Sequence, residues 1–394
     1  MCAVLWLAGA LASAQGVLSV PSRATTGAGT PRVEVAEATL DQLQFALRTG
    51  QTTSLELVQA YHERIAAFDD GPPILNGILA LDPTALDQAR ARDAERAQGR
   101  AHGSLFGIPV LVKDNIDVRG LPTTAGALAL EHSFPPDDAF LVRRLRAAGA
   151  IVLGKTTLTE FANFVTTGMP SGYGSLGGYG YNPYDPHPVP SGDGRPAMTP
   201  GGSSSGTGIS IAASFAAVGV GTETSGSILS PSSSNCLVGI KPTVGLLSRD
   251  GILPITADQD TPGPMARTVR DAAILLGALS GFDPADPASA PCALRGACPG
   301  DYTRFLDKFA LVGARIAVPH SPYWDALSAA ERALMRATVR ALEDAGAVVE
   351  DPFELPRQTQ MSQRGLAVSY PPPANSSSVL LYGFKHDLNR YFAG

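Results

Sequence analysis

The chain has 394 residues, of which 42 are Gly and 32 Pro; 44% are hydrophobic, only 17% charged, and the net charge is −6. This apolar, weakly charged composition excludes an intrinsically disordered chain, and the glycines follow no three-residue period, which excludes collagen. No long basic run offsets the negative balance, so nucleic acid is not an expected partner.

An apolar stretch from Ala3 to Ala12 meets the small residues Ala12-Ser13-Ala14, the pattern of a signal-peptidase site. It is too short to span a bilayer, and stable membrane insertion is not expected. Residues 1–14 therefore read as a signal peptide and 15–36 as a linker, with export to the periplasm or the medium; no Lys or Arg precedes the stretch, and an unexported chain would be cytoplasmic. Without the leader three cysteines remain, Cys236, Cys292 and Cys298. An odd count makes no disulfide framework, although an oxidising compartment would let Cys292 and Cys298 pair. Cys236 lies in an apolar turn and reads as packing. Six scattered His give no zinc spacing, so no metal is expected, and no cofactor either.

Apolar residues at helical spacing predict two helices over 39–68, broken near Gly50, the second capped by Thr53 or Ser54. A strand is expected over 74–81, a charged helix over 83–98 and a buried strand over 107–113. A helix over 138–148, a strand over 151–153 and a helix start over 157–164 follow. Residues 168–202 are rich in Gly, Pro and Tyr without periodicity, too long for an idle loop and so a structured one. The small-residue run 209–220 reads as a buried helix. Strands alternating with helices predict an α/β domain with a covered sheet.

Two motif spellings occur in the wrong context. Gly149-Ala-Ile-Val-Leu-Gly154-Lys155-Thr156 spells a phosphate loop, but a helix precedes it and its middle residues want to be the strand. Gly202-Ser-Ser204-Ser-Gly206 spells a hydrolase nucleophile elbow, but Pro196 and Pro200 deny it the strand it needs.

A third pattern is more informative. Gly or Ser fills 18 of the 34 positions from 201 to 234, in two tight turns, 201–206 and 221–228, flanked by apolar residues. Turns of this kind against a core can aim several backbone N–H groups at one point, as an oxyanion hole requires. A serine there needs a base, because a free hydroxyl is a weak nucleophile. No His is near in sequence. Of 30 basic residues only five are Lys, and three of those (Lys113, Lys155, Lys241) lie in the apolar middle of the chain. Lys113 ends a buried run; its pKa of about 10.4 would have to fall by roughly 3 units, at about 4 kcal/mol, which burial alone can impose. The residues by themselves thus point to a serine/lysine hydrolase and leave open which serine acts.

Six segments resemble, in order, the motifs of the amidase signature family: 107–115, 154–162, 200–206, 221–228, 238–246 and 260–271. The resemblance implies a central mixed β-sheet covered by helices on both sides, in a single large domain over 37–394. It implies amide hydrolysis through a Ser-cisSer-Lys triad. Ser227 would be the nucleophile, Ser203, cis-linked to Gly202, would relay its proton, and Lys113 would be the base. Backbone N–H groups of Thr224, Ser225, Gly226 and Ser227 would form the oxyanion hole. Members acting on acidic substrates often carry an Arg shortly after the nucleophile; Leu229 and Ser230 stand here, which favours a neutral small-molecule or peptide amide. Tyr173, Tyr179, Tyr181 and Tyr184, with the Ser-Gly-Ser nucleophile loop, resemble the peptide-amidase-like branch. Family members usually continue past the position of Gly394, so a shortened C-terminal part is expected. The alternatives are the A-type chain of a tRNA-dependent amidotransferase and an inactive remnant of the fold; oligomeric state is left open.

Overall fold

The computed structural model describes residues 33–393 except 166–167, 191, 295–296, 322, 325–326 and 355–377, so the expected signal peptide and most of the linker lie outside the described residues. The described residues form two compact units. One holds those up to Thr303 together with those from Val379 onward; the other holds those from Arg304 to Ser378.

Two capped helices open the larger unit. Thr39 caps α1 (Leu40–Thr49) and Thr53 caps α2 (Ser54–Phe68), each in a reciprocal box with the third helical residue, Gln42 or Glu56. Gly50 ends α1 at φ 71°, which Gly reaches without a Cβ clash. Leu40, Leu43, Leu47, Leu57, Val58, Tyr61 and Ile65 carry the apolar stripes of both helices into the core. Next comes β1 (Ile78–Leu81), shorter than the strand expected over 74–81. Asn76 turns the chain at φ 53°, and the Asp69 carboxylate accepts the N–H groups of Gly77 and Ile78, so this stretch bonds to a side chain instead of a ladder.

α3 (Ala85–Ala97), β2 (Pro109–Lys113) and α4 (Phe140–Ala147) lie where the pattern places them. β3 (Ile151–Thr156) runs beyond its expected end and takes in Gly154-Lys155-Thr156, so the phosphate-loop spelling is a strand paired on both sides. The helix start expected over 157–164 does not develop. Phe161, Ala162 and Asn163 stand at φ 45°, 55° and 70°. Their turn is held by tertiary bonds: Phe161 N–H donates to Ala125 O at 2.8 Å, and Ser175 N–H to the Glu160 carboxylate at 2.7 Å.

Residues 168–202 carry a short hairpin, β4 (Tyr173–Gly174) with β5 (Gly178–Tyr179). The run 209–220, expected as one helix, divides into α5 (Ser205–Ala212) and β6 (Val218–Glu223). Ser214 breaks it at φ 58°, and β-branched Val218 and Val220 enter the sheet. The larger unit continues with α6 (Leu229–Ser234), β7 (Val238–Gly239), β8 (Thr261–Ala266) and α7 (Val269–Leu279). In the smaller unit β9 (Arg315–Pro319) pairs in parallel with β10 (Val348–Phe353), with α8 (Ala329–Asp344) between them in sequence. α9 (Ser378–Ala393) closes the described chain.

The central sheet has the order β1-β3-β2-β6-β8-β7 and is mixed, with β3, β2 and β6 parallel and the remaining pairs antiparallel. Every residue of β2, β3, β6 and β8 is buried. Successive strand residues point to opposite faces, so both faces of the sheet are covered. A disulfide joins Cys292 and Cys298. Cys236, expected as packing, is exposed because its turn, at φ 55°, faces outward.

Candidate active site

Because β3, β2 and β6 run in parallel, Thr156, Lys113 and Thr222 arrive at the same sheet end. Parallel sheets of this type present ligand sites beyond the carboxyl ends of their strands. Lys113 is wholly buried there. Its Nζ donates to Ser203 Oγ at 2.8 Å, to Thr222 Oγ1 at 2.9 Å and to Thr222 O at 3.3 Å. Asn115 Nδ2 also donates to Thr222 Oγ1, at 3.0 Å, which fixes that hydroxyl. Burial pulls the Lys113 ammonium down to about 7, against the opposing pull of the Asp260 and Glu223 carboxylates. An amine in that range is neutral in a substantial fraction near pH 7 and can accept a proton.

The first Gly/Ser turn delivers Ser203. The Gly202–Ser203 peptide is cis. Thr159 N–H donates to Ser203 O at 3.0 Å and Gly206 N–H to Thr157 O at 3.0 Å, tying the turn to the segment after β3. A Cβ on Gly202 would stand 2.7 Å from Thr159 Oγ1, so only Gly allows this approach. The second turn follows β6 and delivers Ser227. Ser204 N–H donates to Ser227 O at 3.2 Å, and Ser204 Oγ donates to Thr222 O at 3.1 Å, so the turns are bonded to each other and to β6.

Gly226 stands at φ 95° and lets residues 224–227 curl back. Glu223 closes the curl: its Oε2 accepts the N–H groups of Ile228 and Leu229 at 2.8 and 2.9 Å, bridging the two ends of the turn. Among the described residues, no protein acceptor takes the backbone N–H of Thr224, Ser225, Gly226 or Ser227. Four free donors in one turn are available to an oxygen that gains negative charge.

Lys113, Ser203 and the 224–227 turn, picked out separately along the chain, therefore share one sheet end. Lys155 lies behind them in another role. Its ammonium is 2.8 Å from Asp114 Oδ1, with both side chains buried, and it donates to Pro122 O and Thr123 Oγ1. Asp114 Oδ2 accepts Thr124 N–H at 3.0 Å and the Thr124 hydroxyl. This pair anchors the residue next to Lys113. Lys155→Met would leave a buried carboxylate without its cation and should destabilise the protein by about 3–5 kcal/mol, measured by urea unfolding. A loss under about 1 kcal/mol would show that the pair does not hold the site. The third mid-chain lysine, Lys241, is exposed.

Sequence reasoning missed Asp114, Asn115, Thr222, Glu223 and Asp260. All five lie inside the motif segments 107–115, 221–228 and 260–271, and by residue type Glu223 also stands out, as a lone acid inside a Gly/Ser/Thr turn flanked by apolar residues.

The Amidase family model matches residues 56–377. The peptide amidase structure from Stenotrophomonas maltophilia superimposes with a TM-score of 0.78 at 44% identity, covering 91% of this chain and 68% of that one. A Schizosaccharomyces pombe relative carrying the amidase name is 40% identical over 319 residues, 80% of this chain and 52% of its own length. A glutamyl-tRNA(Gln) amidotransferase A-type chain from Ralstonia nicotianae is 37% identical over 358 residues, 89% of this chain and 68% of its own length. The chain spans about half the length of the S. pombe protein and of an Arabidopsis thaliana relative that also carries the amidase name.

Proposed function

The chain belongs to the amidase family, and from that premise we propose that it hydrolyses the C–N bond of a neutral carboxylic amide through a serine acyl-enzyme. Ser227 Oγ attacks the carbonyl carbon while its proton passes to Ser203, whose own proton passes to neutral Lys113. The carbonyl oxygen, now an anion, takes the N–H groups of residues 224–227. Collapse breaks the C–N bond, and the proton returns from Lys113 through Ser203 to the leaving nitrogen, giving ammonia or an amine. Water then repeats the sequence on the acyl-enzyme and releases the acid and Ser227.

The observation that most supports this reading is the 2.8 Å contact of Lys113 with Ser203, made by an amine that burial holds at about 7. A neutral acyl group is supported by the side chains around the turn. Leu229 and Ser230 follow Ser227, and the Arg249 guanidinium beside the site is spent on Asp286, at 2.9 and 2.5 Å, and on Ala257 O. The neighbouring structure named as a peptide amidase supports a peptide C-terminal amide. Export belongs to the same reading, supported by the apolar leader and the Cys292–Cys298 disulfide.

A panel of C-terminal peptide amides, fatty amides and aryl amides, each with an acidic counterpart, tests the assignment. Neutral peptide amides should turn over at least about tenfold faster than amides with a free carboxylate on the acyl side, the equivalent of about 1.4 kcal/mol. A preference for the acidic members would overturn it. The Ralstonia relative favours a second reading, the A-type chain of an amidotransferase. That reading requires partner chains and ammonia transfer to an acidic acyl group, so co-purification with a tRNA-binding partner would select it. A folded chain inert toward the whole panel would indicate a remnant.

A further inference from the structure

We propose that Asp260 is a positioning residue for the hydrolysis, pinning the nucleophile turn through Thr224 and setting a negative charge toward Lys113. The proposal rests on the amide-hydrolase reading above and names a residue that reading does not use. It begins from the register of the sheet. β8 pairs with β6 so that Thr261 lies opposite Glu223, which brings Asp260, one residue before β8, next to Thr224, the first residue of the turn.

Asp260 is buried, and both its oxygens are engaged. Oδ1 accepts the Thr224 hydroxyl, while Oδ2 accepts Ile255 N–H at 2.8 Å and Thr256 N–H at 2.9 Å. The carboxylate therefore joins a closed backbone loop on one side to the turn carrying Ser227 on the other. That loop is braced in turn by α9, whose Asp387 carboxylate accepts Ala257 N–H at 2.7 Å. Displacing a catalytic group by about 1 Å can cost about 100-fold in rate, so the brace bears directly on where Ser227 and the four free N–H groups stand.

The second half of the role is electrostatic. Asp260 and Thr224 line one cavity together with Thr222, whose hydroxyl accepts from the Lys113 amine, and Asn115, which donates to that same hydroxyl. The charged groups bearing on this point are Lys113 from β2, Glu223 from β6, and Arg249 with its partner Asp286. Glu223 is occupied in closing the turn, and Arg249 is occupied by Asp286. Asp260 makes no direct ion pair among the described residues, so its charge acts on Lys113 through space. A neighbouring negative charge stabilises the ammonium, so Asp260 opposes the downward pull of burial on Lys113. Burial raises Asp260 itself to about 6, against hydrogen bonds from Thr224, Ile255 and Thr256. Acidification should therefore remove its charge and weaken its hold on the turn.

The test uses Asp260→Asn and Thr224→Val with lysine labelled at ¹³Cε. The chain has only five lysines, so Lys113 is identified by the signal lost in Lys113→Met. Asp260→Asn should lower the Lys113 titration midpoint by about half a unit or more, shift the acidic limb of kcat/KM the same way, and cut kcat about 10- to 100-fold. KM should change little. Thr224→Val should cut kcat similarly while leaving the midpoint in place. An unmoved midpoint in Asp260→Asn, or undiminished kcat in Thr224→Val, overturns the proposal. Should Asp260→Asn fail to fold, the Thr224→Val rate decides alone. The midpoint is read without turnover, so a wild-type chain inert to every amide would sink the hydrolase reading and leave the charge coupling standing or falling by itself.

Discussion

Replacing Ser227 by alanine should abolish amide turnover, with kcat falling on the order of 10⁴- to 10⁶-fold, the range seen when a serine nucleophile is removed from a triad. Labelling by a serine-directed fluorophosphonate should disappear with it. The fold should survive, because among the described residues no hydrogen bond to the Ser227 hydroxyl holds the turn. Its backbone bonds, the Ser204 N–H to Ser227 O contact and the Glu223 bridge, remain in the variant. Thermal unfolding close to wild type together with lost labelling would therefore separate chemistry from collapse. Labelling that persists in Ser227→Ala would move the nucleophile elsewhere, with Ser203 the first candidate.

Lys113→Met should produce the second large effect, and its pH dependence is diagnostic. In the wild type kcat/KM should rise with pH up to a limb near 7, as the buried ammonium loses its proton, and then level off. Without the amine the residual rate depends on hydroxide, so the deficit should be greatest near neutrality and narrow at alkaline pH. A deficit equal at every pH would make Lys113 a structural residue. Stability should respond in the opposite sense. Burial lowers Lys113 from 10.5 to about 7 in the folded chain, so between those values the unfolded chain binds more protons and wild-type stability rises with pH. Below 7 the penalty for burying the ammonium is complete. The stability of Lys113→Met relative to wild type should thus be greatest in acid and decline toward pH 10, read from urea unfolding at each pH.

The legible parts of the chain were those governed by local rules. The N-terminal helices follow from apolar spacing and from Thr39 and Thr53, whose caps form as the residue types imply. β2 was legible because its apolar run is short, rich in β-branched Val and opened by Gly107 and Pro109, which favours a strand covered on both faces over a buried helix. The run 209–220 reads as one helix because its Ile, Ser and Ala residues pass into Ala216-Ala217-Val218 with no Gly or Pro before Gly219, and only a left-handed residue at Ser214 separates helix from strand. The segment 157–164 reads as a helix start because no local pattern contains Ala125 and Ser175, the partners that take its bonds.

The site divides along the same line. The sequence by itself determined the chemical parts: a lysine ending an apolar run, two Gly/Ser turns, and an ordered set of motifs. Each depends on residue type or short spacing, which a linear reading keeps. What only the tertiary structure decided is which groups meet and in what state. Parallel pairing of β2 with β6 sets Lys113 beside Thr222, antiparallel pairing of β6 with β8 sets Asp260 beside Thr224, and burial of their shared end moves both titrations toward neutrality. A lysine's charge state belongs to its surroundings, and those are supplied by strands far away along the chain.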